Sequence, residues 1–360
     1  MKNNNFSRIL LGLGIMFAAG CKPKEPTVEP GLTNAQLQQA ILDDFATKVA
    51  LPLYRDMEGR MGELFDAATA FAQTPDDAHL AATRTAWRSV RGVWEQSEAF
   101  LFGPVSTDNI DPSTDTWPID FQALDSLLQS SVSFTQNYLN GLGDELKGYH
   151  PMEYLLWGAD GNKAAAAFDA REIDYLIALS ADLRLKATDL RTSWDASSAT
   201  AYSVHIRTAG SSTSLYPSQR AVFEELVNAM AGICDEVANG KIGEPFNLQD
   251  PALEESPFSQ NSLVDFKHNI LGVKNVYFGK YSADGYGIHD FLVKNNQSLH
   301  NQIAAQIEQA LSAFDGITVP FGQAISSQPA QVQGLIDRIN TLKATLENQL
   351  LPFVQTKIVG

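Results

Sequence analysis

Apolar residues recur at three- and four-residue steps along almost the whole chain after Thr33, and this period limits the fold more than any other feature. In "TNAQLQQAILDDFATKVALPLYRDMEGRMGELFDAATAF" the residues Leu37, Ile41, Leu42, Phe45, Val49, Leu53, Met57, Met61, Leu64 and Phe65 keep that step, which puts them on one helical face. Pro52 is expected to kink or divide the run, because it lacks a backbone N–H and its ring crowds the carbonyl four residues earlier. "TPDD" offers an N-cap and acidic first-turn residues to the next run, "DDAHLAATRTAWRSVRGVWEQSEAFLF". Similar runs cover 121–141, 152–158, 171–194, 218–238, 261–278, 297–313 and 328–352. No segment alternates apolar and polar residues between hairpin turns, so the expected class is all-α, built as helical bundles.

A chain of 360 residues, 44% hydrophobic and 19% charged, is long enough for two core-bearing domains. A weak internal echo supports two halves: "RGVWEQSEAFLFGPV" and "LGVKNVYFGKY" share Gly-Val, an aromatic run and Phe-Gly. The expected division is 33–195 and 196–360. Residues 1–20 read as an export signal, with basic Lys2 and Arg8, an apolar stretch from Ile9 to Ala19, and small residues up to Cys21. That stretch is too short to span a bilayer, which takes about 20 apolar residues. Ala18-Ala19-Gly20-Cys21 is similar to a bacterial lipoprotein box, so Cys21 is the expected lipidation site and 21–32, "CKPKEPTVEPGL", the tether. The expected location is the outer membrane, on its periplasmic face or at the cell surface. Cys234 lies in an apolar helical pattern and reads as a small buried hydrophobe; two cysteines make no disulfide framework. The formal charge of −16 becomes about −18 without Lys2 and Arg8, which excludes a nucleic-acid partner and favours cations.

The chemistry-bearing window is "GYHPMEYLLWG", 148–158. His150 and Glu153 are three apart, so on a helix they share a face and could hold one ion or act as an acid–base pair. Two ligands are too few for a zinc enzyme, and no HExxH is present, so further ligands must come from elsewhere in the fold. Pro151 suggests His150 at the N-cap and Glu153 at N3, as in a capping box, with the helix dipole keeping the imidazole neutral. Two readings of the window stand on the residues alone: a capped helix start, and a functional site.

Other candidates are Glu95 and Glu98, which would want a metal or a partner such as Arg88 or Arg91 if buried. Asp115 and Asp120 in "DTWPID" fit turn capping or oxygen ligation. In "ESPFSQNSLVDF", Ser256, Ser259 and Asp265 fit helix caps, and Ser262 with Asp265 fits a capping box. His79, His205, His268, His289 and His300 show no ligand spacing, and the five tryptophans read as core. A phosphate loop, a GxSxG elbow and a CxxC pair are all missing, which sets aside nucleotide enzymes, serine hydrolases and zinc ribbons.

Gly148-x-His150-x-x-Glu153 followed by "YLLWG" resembles the signature of the imelysin family, also known as M75 peptidases. "AWRSVRGVWEQSEAFLFGPV" and "DTWPID" resemble its first-half pattern; "KIGEPF", "ESPFSQNSLVDFKHNILGVKNVYFGKY" and "GYGIHDFL" resemble its second-half pattern. The resemblance implies two four-helix bundles with the motif near their interface, in exported proteins associated with iron acquisition. The candidates named from the residues then divide into metal ligands, His150, Glu153, Glu95 and Glu98, and ligand contacts, Gly148, Arg88, Asp120, Ser259 and Asp265. On this reading the protein binds iron or an iron-bearing ligand and serves an outer-membrane transport partner. The alternative is a zinc metallopeptidase in which His150 and Glu153 are the catalytic candidates. A third reading is a structural or partner-binding surface module.

Overall fold

The computed structural model describes Met1 and residues 31–359, so the expected export signal, the expected lipidation site Cys21 and most of the expected tether lie outside the described residues. The described residues form helices joined by loops and turns, without a strand. The long elements are α1 (Asn34–Asp44), α2 (Leu51–Gln73), α3 (Asp77–Ser97), α4 (Tyr149–Trp157), α5 (Ala170–Trp194), α6 (Gln219–Asp235), α7 (Ser262–Phe278), α8 (Ile288–Asn295), α9 (Gln297–Ala313) and α10 (Pro329–Thr345). Side-chain caps start several of them. Thr33 and Gln36 form a capping box on α1, the Asp76 carboxylate accepts the His79 N–H at 2.8 Å before α3, and Asp169 and Glu172 box α5. Each such cap satisfies a donor that the first turn leaves free, worth about 1 kcal/mol.

Helix α2 packs against both α3 and α5, α6 and α9 pack on α7, α10 packs on α6 and α9, and α3 crosses α7. The first helix, α1, lies against α6 and α8 rather than against α3. The two echoing segments meet at the α3–α7 crossing. A Cβ on Gly272 would come 2.3 Å from the Gln96 carbonyl oxygen, and one on Gly92 would come 2.9 Å from the His268 ring. Glycine at 272 therefore sets how closely the two backbones approach, whereas at 92 the neighbour is a side chain.

Pro52 does not divide the first run. A π-helical turn, Phe45–Ala50, precedes it, and α2 continues with Pro52 in its first turn, where the missing N–H costs little. The same arrangement recurs at Leu346–Leu350 before Pro352. The core beside it is aromatic: Phe45, Tyr54, Phe100, Phe102 and Trp194 meet at centroid distances of 5.5–6.4 Å, and burying each ring is worth roughly 2–3 kcal/mol. Cys234 is buried, and burial pushes its thiol up to about 12. No helix among the described residues is long and apolar enough to cross a membrane.

Candidate functional site

The site lies beside the α3–α7 crossing, where α4 and the segment 254–261 close on α3. Helical spacing along α3 sends Arg88, Arg91 and Glu95 toward this side, and Glu98 follows in the short 3-10 turn Glu98–Phe100. Helix α4 starts two residues earlier than the proline suggests. Its N-cap is Gly148 at φ 82°, where a Cβ would lie 1.9 Å from the Thr114 carbonyl oxygen, so only glycine fits. His150 is therefore the second helical residue and Pro151 the third, which the first turn tolerates because its N–H groups have no intrahelical partner anyway. No capping box forms. Glu153 sits beyond the first turn and accepts the Ser259 N–H through Oε1 at 2.7 Å.

His150 and Glu153 have no exposed surface. His150 Nε2 lies 3.1 Å from Asp115 Oδ1 and Nδ1 lies 3.9 Å from Glu153 Oε2, but neither contact is aligned as a hydrogen bond, and both ring nitrogens are without one. Asp115 accepts the Trp94 Nε1–H at 2.7 Å and pairs with Arg91. Arg91 is also fully buried. It pairs with Glu95, lies 3.3 Å from Glu255, and directs Nε to Asp265 at 3.8 Å. Asp265 accepts from Ser256 Oγ and Asn261 Nδ2, each at 2.7 Å, so it is turned inward and makes no capping box with Ser262. Lys241 holds Glu255 at 2.7 Å and Glu98 at 3.1 Å. Asn269 Nδ2 donates to Glu95 Oε2 at 2.8 Å and Glu98 Oε2 at 2.6 Å.

Six buried carboxylates, Glu95, Glu98, Asp115, Glu153, Glu255 and Asp265, thus surround two permanent cations, Arg91 and Lys241. Burial pushes Glu95 up to about 7, against the pull of Arg91 and Lys241, and pushes Glu98 and Asp265 well above the carboxylate range. Burial also works on Asp115, but Arg91 and His150 outweigh it and hold that carboxyl far below its usual value. For His150, burial alone would favour the neutral ring; Asp115 and Glu153 outweigh it and push the imidazole up to about 9. The expectation of a neutral ring is overturned because a helix end carries only about half a charge, whereas two carboxylates face this ring.

Three overlapping groups have ligand atoms within 4.8 Å of one another: Asp115, His150 and Glu255; Glu95, Glu98 and Asp115; Glu95, Glu255 and Asp265. His150 is thus grouped with Asp115 and Glu255; Glu95 joins it through both of these, and Glu98 through Asp115. Besides the imidazole nitrogens, Glu153 Oε2 and Glu255 Oε2 are buried without a hydrogen-bond partner, whereas Glu95 Oε1 faces the Arg91 guanidinium. Such atoms are rare in a finished interior, and a mixed nitrogen and oxygen set of this kind suits iron or zinc.

The remaining candidates divide. Arg88 donates to the Ser259 carbonyl at 2.7 Å and stacks 4.7 Å over Trp157, so Arg88 and Ser259 border the site. Asp120 does not reach it: exposed, it caps the helix Phe121–Gln129 by accepting the Ala123 N–H at 2.9 Å. His79 pairs with Asp76, His268 lies against Gly92, and His289 and His300 flank Tyr277 in another part of the protein. Trp117 is only half-buried and lies 5.2 Å from the His150 ring, under an aromatic cover that continues through Phe258 to Tyr154 and Phe121. Lys241, Glu255 and Asn269 had no role assigned from the sequence, although the first two stand in "KIGEPF" and "ESPF". A charged residue inside an otherwise apolar or proline-bounded stretch was the available signal.

A family model described as Imelysin, Peptidase_M75, matches residues 50–349. Iron-regulated protein A of Synechococcus elongatus is 34% identical over 332 residues, covering 90% of this chain and 89% of that protein. A crystal structure described as an iron-regulated protein A precursor from Parabacteroides distasonis superposes with a TM-score of 0.79 at 26% identity, covering 95% of this chain and 97% of that one. An imelysin-like protein from Psychrobacter arcticum shares the fold, with a TM-score of 0.72 at 15% identity over 91% of this chain and 98% of that one.

Proposed function

The chain belongs to the imelysin family, and from that premise we propose that it binds iron, or a small iron-bearing ligand, at the buried cluster around His150. The observation that carries this reading is a fully buried imidazole with both nitrogens lacking a hydrogen bond, set among carboxylates that outnumber the fixed cations. His150, Asp115 and Glu255 would hold the ion, with Glu153 beside them, and the ion would take the place of protons that the imidazole and the raised carboxyls carry. Its binding requires the imidazole to give up its proton. Glu153 keeps segment 254–261 against α4 through the Ser259 N–H, and Arg88 holds the same residue from the other side. The names of the relatives, which speak of iron regulation, support the choice of iron. The same reading places the protein outside the cytoplasm, tethered by a lipid on Cys21 to the outer membrane and passing its ligand to a transport partner there.

The metallopeptidase reading is less favoured, because a catalytic zinc needs a position open to water and substrate, and here the imidazole and the Glu153 carboxylate are both fully covered. Titration of protein purified without chelators with ferrous, ferric and zinc ions tests the choice. Wild type is expected to bind iron and His150→Ala to lose at least about tenfold in affinity. Equal binding by the two proteins sinks the proposal, and cleavage of a peptide library that vanishes in Glu153→Ala restores the peptidase.

A further inference from the structure

Lys241 ends a π-helical turn, Glu236–Lys241, in which the Ile242 N–H bonds the Val237 carbonyl five residues back at 2.9 Å. Widened turns of this kind are frequent at functional sites. Besides Glu255 and Glu98, the ammonium lies 3.7 Å from Glu95 and 3.7 Å from Glu236. These groups form a series from solvent inward: the Glu236 side chain is 51% exposed, Lys241 11%, Glu255 7% and Glu95 0%. Glu255 then belongs to the group containing Asp115 and His150, so the series leads to the imidazole. Asn269, held against Glu95 and Glu98 by its amide nitrogen, has no exposed surface, and its Oδ1 lacks a hydrogen-bond partner, as does Glu255 Oε2. Arg91 and Lys241 differ here. The guanidinium is spread over four carboxylates, whereas an ammonium is a compact charge on a flexible stem that can swing outward toward Glu236.

We propose that Glu95, Glu98, Glu255 and the Asn269 side-chain oxygen form a second cation position on the route to His150, with the Lys241 ammonium as its resident cation, which a divalent metal ion displaces. The inference rests on the reading of His150 as the inner metal position, but Glu98, Lys241 and Asn269 belong to the outer position alone. Two positive charges a few ångströms apart repel by several kcal/mol in such surroundings, so metal and ammonium occupy the outer position in turn.

Titration of the purified protein with Mn²⁺, counting free ion by its paramagnetic resonance, tests the outer position. Wild type is expected to bind one ion tightly and a second weakly. Lys241→Met tightens the second at least about tenfold, Lys241→Arg leaves it weak, and Lys241→Met combined with Glu98→Gln abolishes it. Unchanged affinity and stoichiometry in folded Lys241→Met overturns the proposal. If that variant does not fold, Lys241→Asn, which keeps a polar group at the same place, is expected to tighten the second ion likewise, and unchanged binding there overturns the proposal equally. His150→Ala separates the two claims: it should remove the tight ion while the weaker one still responds to Lys241→Met. A wild type with no tight ion, in which Lys241→Met nevertheless gains one, would remove the His150 reading and keep the outer position.

Discussion

Gly148 shows how one residue without a side chain fixes a site. With φ at 82° and the Thr114 carbonyl in the space a Cβ would need, Gly148→Ala combines backbone strain with a backbone clash. We expect it to lower unfolding free energy by about 2–4 kcal/mol in a denaturant titration. His289 supplies a pH signature away from the cluster. It is buried beside His300, Tyr277, Phe278 and Asp290, and burial, reinforced by His300, lowers its imidazole to about 4. A histidine lowered on folding takes up protons more readily when unfolded, so its contribution to stability is present above about 6.5 and is lost as pH falls toward 4. Asp290, raised to about 6 chiefly by burial, acts in the opposite sense over much of that window. The comparison with His289→Gln isolates the histidine: between pH 7 and pH 4.5 the variant should lose less stability than wild type, by about 2 kcal/mol. A pH dependence identical in the two proteins contradicts this assignment.

Helices were legible because burial repeats every turn, and α2, α3, α5, α6, α7, α9 and α10 stand where the apolar period put them; the expected run 121–141 instead breaks into Phe121–Gln129 and Gln136–Asn140, and α8 lay outside the expected runs. The start of α4 was not, since the rule that a residue before proline avoids the helical region is a local preference, and an unpartnered first turn beside Gly148 overrides it. Likewise Pro52 is absorbed by a π turn, a feature with no apolar period of its own. The echo of Gly-Val in two distant segments acquires a physical meaning at the α3–α7 crossing. Gly272→Ala drives a Cβ into the Gln96 carbonyl, which is backbone and cannot move aside, and should cost about 2–4 kcal/mol. Gly92→Ala meets only the His268 ring, which can turn, and alanine favours the helix by up to about 1 kcal/mol, so its net effect should stay within about 1 kcal/mol of zero. Equal losses in thermal unfolding would contradict this distinction between a backbone and a side-chain neighbour.

At the scale of the molecule, the ionic cluster links parts of the chain far apart in sequence: Arg91 meets Glu255 and Asp265, and Asn269 meets Glu95 and Glu98. This is why Glu95, Glu98, Arg91, Asp115 and Asp265 could be named as separate candidates while their grouping, and the part of Lys241, Glu255 and Asn269, could not be read. His150 and Glu153 lie three residues apart, but Asp115, Lys241, Glu255 and Asn269 are assembled only by the fold. The charge on His150 was misjudged for the same reason, since the carboxylate that decides it most, Asp115, stands on a separate turn. Arg91→Met would leave four carboxylates without their common partner, and we expect a loss of about 3–5 kcal/mol or failure to fold at neutral pH, with partial recovery in mild acid where the carboxyls are protonated. Stability unaffected by the substitution at pH 7 would show that the cluster is held by something other than this guanidinium.

Four of the five tryptophans touch the cluster or its borders: Trp87 lies under Arg91, Trp94 donates to Asp115, Trp117 faces His150, and Trp157 lies under Arg88. Indole emission responds to nearby charge and to paramagnetic ions, so the molecule carries built-in fluorophores at the place where charge would change. Loading, proton release and displacement of an ammonium should each alter its ultraviolet fluorescence, with no dye attached.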